Sequence, residues 1–419
     1  MNSNNLQSVL EKSRIGRAVA VCLSDARLFW TVALLIYLCL VPVFALVSAT
    51  NFEPHGDIKL YKRVIDSIHS GELPYQDFEF EYPPYAILWF IVPGLFSSAK
   101  GFQVAFGIEL LVIDALLKLA LIRLALGEKS KRLFFPVIAF AFATAANNHF
   151  YLQRFDLIPA AVSFAMLIAF YRKQYYLSGA LLAFGFGCKL YPILFAPPLL
   201  IIAWKNGGHR QFISGFLVLI APLILLGFVT PWWQFMAFHT GRGLQCESIY
   251  ASILWLGKLF GAFDLKWVFI KAWVEVTGPA ATSVLPYAKI IFVATTFISV
   301  IYSCVICYKN QQWTLPNLAR LLLIPLCAFV CFNIVLSPQY LIWIIALAAV
   351  AALDGRLRSV ILVTIAAGIT PIIYPGFNYG SGLQIVETVI LVLRNLILII
   401  AWIGFIFELR EIKDSSGET

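Results

Sequence analysis

The sequence predicts an all-α polytopic membrane protein: a bundle of about 12 transmembrane helices, with interfacial or re-entrant segments in its outer loops. Three observations predict it. The chain is 61% hydrophobic and 13% charged, whereas soluble domains run near 25% charged. Apolar runs recur along its whole length, at 29–49, 104–126, 133–147, 155–171, 176–204, 212–229, 286–308, 318–335, 339–353, 359–374 and 383–407. The basic residues sit in the short loops between those runs, the positive-inside pattern of membrane proteins.

Each element follows from these runs. Residues 1–28 are polar and basic, and 29–49 is too long and too far in for a cleavable h-region, so it reads as a retained first helix behind a cytoplasmic segment. A crossing needs about 20 residues for a core of about 30 Å. The run 176–204 therefore makes two short crossings, divided at Tyr191-Pro192. Placing Lys129, Lys131 and Arg132, Arg172 and Lys173, Lys205 and Arg210, Lys309, and Arg356 and Arg358 in the cytoplasm makes the crossings alternate, with 408–419 as a cytoplasmic tail. Between the first outer loop (50–83) and the basic loop at 129–132 the chain must cross an odd number of times. Segment 84–98, with Pro83, Pro84, Pro93 and Gly94, is then re-entrant or interfacial. The stretch 250–273, with Trp255, Trp267 and Trp273 among lysines, likewise reads as interfacial. The whole chain, 1–419, forms one membrane-embedded domain, with no tandem repeat.

Charge and cysteine usage exclude other classes. The net charge of +9 is spread over topology-setting loops, so nucleic acid is not a partner. Most cysteines lie in apolar runs, where they pack as small polarizable side chains. Cys304 and Cys307 have C-x-x-C spacing but no second pair in a polar loop, which argues against a metal or redox site.

The distinctive polar residues fall on the outer side of this topology. The first outer loop carries Glu53, His55, Asp57, Asp66, Glu72 and the ladder Asp77, Glu79, Glu81. Later outer segments hold Asn147, Asn148, His149, Gln153, Arg154 and Asp156; Lys189; His239, Arg242, Gln245 and Glu247; and Ser337 and Gln339. Arg154, Lys189 and Arg242 are cations against the positive-inside rule, next to apolar helices and near carboxylates, and an anionic ligand explains them. Blander readings stand beside this one. Arg154 and Asp156 could pair locally at a helix start, Lys189 could snorkel, His239 could be a surface histidine, and the ladder could be a solvated face of an extended segment. Within the membrane, Asp114 and Lys118 are spaced to pair, and Glu387 and Arg394 share a helical face, as bundle glue.

The ordered combination GELPYQDF (71–78), EYPP (81–84), QRFDLIP (153–159), KLYP (189–192), RGLQCES (242–248) and SPQY (337–340), after an aspartate soon past the first helix, resembles glycosyltransferase family 87 over residues 50–345. These are polyprenyl-phosphate-mannose-dependent mannosyltransferases with the GT-C fold. The resemblance implies an inverting transfer of a sugar, with mannose expected, from a polyprenyl-phosphate donor to a glycolipid or glycan acceptor. The site would face away from the cytoplasm of a bacterial plasma membrane. It implies Asp57 as catalytic base, and Arg154, Lys189, Arg242 and Gln339 as ligands of the donor phosphate or sugar. Glu81, Tyr82, Asp156, His239, Gln245 and Glu247 become candidates for acceptor or sugar contacts. A monophosphate donor has less need of a divalent ion than a diphosphate one. The expectation is therefore no required cofactor or metal, although the ladder's carboxylates would suit a hard cation. A lipid-linked sugar flippase or transporter is the alternative. It would place its charges near the midplane between two related halves, and no such halves are evident. A structural scaffold would leave the outer-face cations unexplained.

Overall fold

The computed structural model describes residues 25–49, 56–127, 134–270, 273–310, 312–374, 376–377 and 383–415. The basic segment before residue 25, Glu53, His55, the loop 128–133, the side chain of His239 and the end of the tail lie outside the described residues or side chains.

The apolar runs fold into helices. The first is α1 (Ala26–Ala49), followed by α2 (Asp57–His69), whose buried Ile58, Tyr61, Val64 and Ile65 recur at helical spacing along one face. A 3-10 turn (Pro84–Ile87) leads into α3 (Leu88–Gly94). Together these rise about 18 Å, at about 2.0 Å per residue in the 3-10 turn and about 1.5 Å in the helix, short of a bilayer core of about 30 Å. Then come α4 (Ala99–Gly127), α5 (Phe135–Ala146), α6 (Asn148–Tyr151), α7 (Leu157–Tyr171), α8 (Tyr175–Cys188), α9 (Ala196–Lys205), α10 (His209–Leu226), α11 (Phe235–Thr240) and α12 (Ile249–Leu259). The last five are α13 (Pro279–Lys309), α14 (Leu315–Cys331), α15 (Tyr340–Ala351), α16 (Arg358–Ile373) and α17 (Ile385–Ser415). As expected, the run at 176–204 breaks, between Cys188 and the 3-10 turn Tyr191–Phe195.

A helix stands at every expected crossing, and their lengths and composition alone do not confirm the expected number of spans. Among the described residues, four helices are long and apolar enough to cross a membrane: Leu28–Ala49, His209–Leu226, Pro279–Lys309 and Ile385–Arg410. Most of the others are shorter apolar helices such as Phe135–Ala146, while α4 is 29 residues long but carries Glu109, Asp114, Lys118 and Arg123. The helices α14 and α15 are buried on nearly every side and form the centre of the bundle. The tightest helix pair is α8 with α10. A Cβ on Gly179 would lie 2.0 Å from the Phe212 carbonyl oxygen, and one on Gly215 1.9 Å from that of Tyr176. Only glycine permits that approach, the usual device for packing helices in lipid.

Three expectations need correction. First, 250–273, expected as an interfacial stretch, carries secondary structure of its own. It folds as α12 and strand β2 (Lys266–Ile270), which pairs antiparallel with β3 (Trp273–Thr277); β1 (Leu244–Gln245) pairs on the other side of β3. Trp255 is buried, its ring stacked on Trp267 at 4.6 Å, with the Lys258 ammonium 4.8 Å from its centroid. Trp255 and Trp267 therefore close a small second core against α13, α16 and α17. Second, this small sheet departs from an otherwise all-α fold. Third, Arg394 does not pair with Glu387. It reaches the Glu247 carboxylate at 3.2 Å, while Glu387 accepts the Gln384 N–H at 2.9 Å. Asp114 and Lys118 do pair, at 2.6 Å, and Tyr151 donates to the same carboxylate at 2.9 Å.

The two ends of the bundle differ in charge chemistry. At one end Lys205 donates to the carbonyls of Tyr308 and Asn310 at the end of α13, at 2.9 and 2.8 Å. Arg320, fully buried, holds Asp354 with two hydrogen bonds of 2.7 and 2.8 Å and Glu408 with one of 2.9 Å. At the other end lie Asp57, Glu81, Arg154, Asp156, Lys189 and Arg242.

Candidate active site

The acidic ladder is a braced loop. Tyr75 donates to the Tyr82 carbonyl at 2.6 Å, and the Leu73 N–H donates to Asp77 at 2.7 Å. Alternate residues point opposite ways, as in any extended segment. Asp77 and Glu79 are exposed, Phe80 and Tyr82 are buried, and Glu81 is half-buried at the inner end. Of the three carboxylates, only Glu81 enters the site.

Three carboxylate–cation pairs form there, and none joins neighbours in sequence. Gly56, at φ 57°, makes the turn that starts α2, so Asp57 stands on the first turn of that helix. Its carboxylate lies 3.3 Å from the Arg154 guanidinium, which lies over the Tyr374 ring. Asp156 is fully buried just before α7. Its Oδ1 accepts from Lys189 Nζ at 2.5 Å and from Trp343 Nε1 at 2.8 Å, while Oδ2 has no hydrogen-bond partner among the described residues. Lys189 leaves the end of α8 in extended conformation. Its ammonium sits 5.1 Å from the Tyr82 ring centroid and 4.9 Å from that of Trp343, close enough for cation–π attraction. Arg242 reaches Glu81 at 3.3 Å. The local Arg154–Asp156 pair and the snorkelling Lys189 are thereby replaced by contacts between distant segments.

These pairs share one electrostatic environment. Burial raises the Glu81 pKa above the ordinary carboxylate value, and the negative charge of Asp57 raises it further. Arg242, Lys189 and Arg154 pull it back. Below them lies a cavity of about 350 Å³, within the range of small-molecule sites. Glu81, Tyr82 and Lys189 line one part of it. Tyr191, Tyr340 and Trp343 form an aromatic wall, and Phe235, Phe292 and Phe329 an apolar one. Lys289 on α13 and Asn333 also line it. Neither stands out in the sequence, because Lys289 is embedded in an apolar run and Asn333 lies where α14 gives way to a loop.

This arrangement offers an anionic group several cations at the rim of an apolar cavity, with carboxylates close by. The model of glycosyltransferase family 87 matches residues 80–288. Over those residues the chain belongs to glycosyltransferase family 87. No curated protein matches it. The matched segment holds Glu81, Tyr82, Arg154, Asp156, Lys189 and Arg242 of this glycosyltransferase, while Asp57 and Gln339 lie beyond it.

Other expected residues take different positions in the family 87 chain. Gln245 accepts the Leu336 N–H at 3.1 Å, and its own N–H donates to the Ile334 carbonyl at 3.0 Å, fastening the segment that lines the cavity through Ile334 and Val335. Glu247 is buried against Arg394 on α17, and Asn395 donates to its backbone carbonyl at 3.1 Å. Gln339 accepts from the Ser337 hydroxyl just before α15. The backbone of His239 is in α11, and its side chain lies outside those described.

Proposed function

We propose that this glycosyltransferase moves a sugar, mannose by family resemblance, from a polyprenyl-phosphate donor to a hydroxyl of a glycolipid or glycan acceptor, with inversion. The carrying observation is the cavity: cationic and carboxylate groups at one part, aromatic and apolar walls over the rest. That division matches a donor whose phosphate and sugar are polar and whose tail is hydrocarbon. Lys189 and Lys289, with Arg242 at the rim, face the phosphate. Phe292, Val293 and Phe329 receive the first part of the tail.

The roles follow from charge flow. As the acceptor oxygen bonds to the anomeric carbon, the carbon–oxygen bond to phosphate breaks and its electron pair leaves with the polyprenyl phosphate. The acceptor proton passes to Asp57. A hydroxyl is too weak an acid to be deprotonated beforehand, so this transfer accompanies bond formation. Arg154, 3.3 Å away, orients the Asp57 carboxylate. Cations aimed at the leaving phosphate stabilise the transition state more than the ground state, and losing one such contact costs about 3–4 kcal/mol. The protein's own cations fill the place a metal would otherwise take.

The bundle lies in a cell membrane with this site on the non-cytoplasmic face. Support comes from Lys205, Arg172 and Arg356, which belong to the basic loops at the opposite end. The test is to incubate detergent-purified protein with polyprenyl-phosphate mannose and a membrane lipid extract and follow mannosylated product by mass spectrometry. Product in detergent supports transfer. Transport in vesicles without product in detergent would replace it with the flippase reading.

A further inference from the structure

A second and larger cavity, of about 660 Å³, lies away from the charged cluster, between α4, α7 and α8. Its floor is Ala161, Ala165 and Ala169, one helical turn apart on α7, and its sides include Leu116 of α4 and Leu177 of α8, both exposed. From Ala161 to Arg172 the groove runs about 16 Å along α7 at about 1.5 Å per residue. One leaflet is about half of a 30 Å core.

The groove has one polar end. Arg123 near the end of α4, Arg172 just after α7 and Gln174 just before α8 all line it there. Lys173, at φ 60°, makes the tight reversal that brings Arg172 and Gln174 to the same mouth. Neither arginine forms an ion pair with an acid among the described residues. Topology requires basic residues near a helix end, but it does not require two guanidinium groups to close an apolar groove of one leaflet's depth. Guanidinium binds phosphate oxygens through a planar fork, and basic pockets between membrane helices select anionic headgroups.

We propose that this groove binds an anionic phospholipid from the leaflet opposite the transfer site. Its phosphate sits between Arg123 and Arg172, Gln174 donates to the headgroup, and one acyl chain lies along the alanine floor. Two positive charges with no ion-paired carboxylate among the described residues favour a net-negative headgroup over a zwitterionic one.

The experiment is native mass spectrometry and thermal unfolding of the full chain in detergent, titrated with phosphatidylglycerol or with phosphatidylcholine of identical chains. Phosphatidylglycerol should remain bound and raise the unfolding midpoint by several degrees more than phosphatidylcholine does. In the Arg123→Gln/Arg172→Gln variant the two lipids should act alike. Ala165→Phe, which fills the floor, should lose the bound lipid with both arginines in place; if it does not fold, Leu177→Trp at the rim serves instead. Equal responses to the two lipids in the wild type would overturn the proposal. So would a phosphatidylglycerol preference that survives the double arginine change.

Discussion

Replacing Asp57 with Asn separates its pairing with Arg154 from its proposed role as base. Asp57 and Arg154 are 3.3 Å apart, with side chains 17% and 19% exposed. Breaking a fully buried pair costs about 3–5 kcal/mol, while an exposed pair contributes about 0–1 kcal/mol. This half-screened pair should fall between them, at about 2 kcal/mol of stability. Loss of a general base slows a reaction about 10²–10⁴-fold, which is about 3–5 kcal/mol of barrier at about 1.4 kcal/mol per decade. Asp57→Asn should therefore unfold a few degrees lower and transfer sugar at least 100-fold more slowly. The decisive variant adds Arg154→Gln, so that no unbalanced guanidinium remains. Stability should partly recover in the double variant, and activity should not. The assay is initial rate with polyprenyl-phosphate mannose beside a thermal melt of the same preparation. If the double variant regained most of the wild-type rate, Asp57 would be a counter-ion for Arg154 and its assignment as base would be refuted.

Other outcomes follow from the same contacts. Lys189→Met removes a cation facing the cavity and should lower the rate about 10²–10³-fold; a rate within threefold of wild type would exclude phosphate contact. Glu81 binds its proton more tightly folded than unfolded, because its folded pKa is raised, so its contribution to stability grows as pH falls through that raised value and is lost as pH rises through it. Melting midpoints between neutral pH and the ordinary carboxylate range should show this slope in the wild type and not in Glu81→Gln. Arg320→Met strands Asp354 and Glu408 far from the cavity and should cost about 3–5 kcal/mol of stability while leaving the rate of folded protein unchanged, measured by denaturation beside the transfer assay.

Much of this site is legible in the sequence because membrane helices force polar residues to their ends. Arg154, Asp156, Lys189 and Arg242 are cations and acids at breaks between apolar runs, and a bundle with few loops brings such breaks together. The pairing was not legible. Arg154 and Asp156 are two residues apart, yet each turns to a different distant partner, Asp57 and Lys189. Arg394 passes over Glu387 on its own helix for Glu247, because helix packing sets that distance and helical spacing does not. Lys289 looks like a stray charge in an apolar helix until α13 is placed beside the cavity. Tyr340 and Trp343 look like core aromatics, and they are that too, with faces turned to Lys189. The strands of the small sheet are two to five residues long, too short for alternation to separate them from a polar membrane-surface stretch.

The central claim is that the sugar arrives on a lipid monophosphate. It is tested most directly by competition between two donors in one reaction. Purified protein receives equal amounts of polyprenyl-phosphate mannose with ¹³C in the sugar and unlabelled nucleotide-diphosphate mannose, with lipid extract as acceptor. The product mass reports which donor was used. All product should carry the heavy sugar, and product carrying the light sugar would contradict the account.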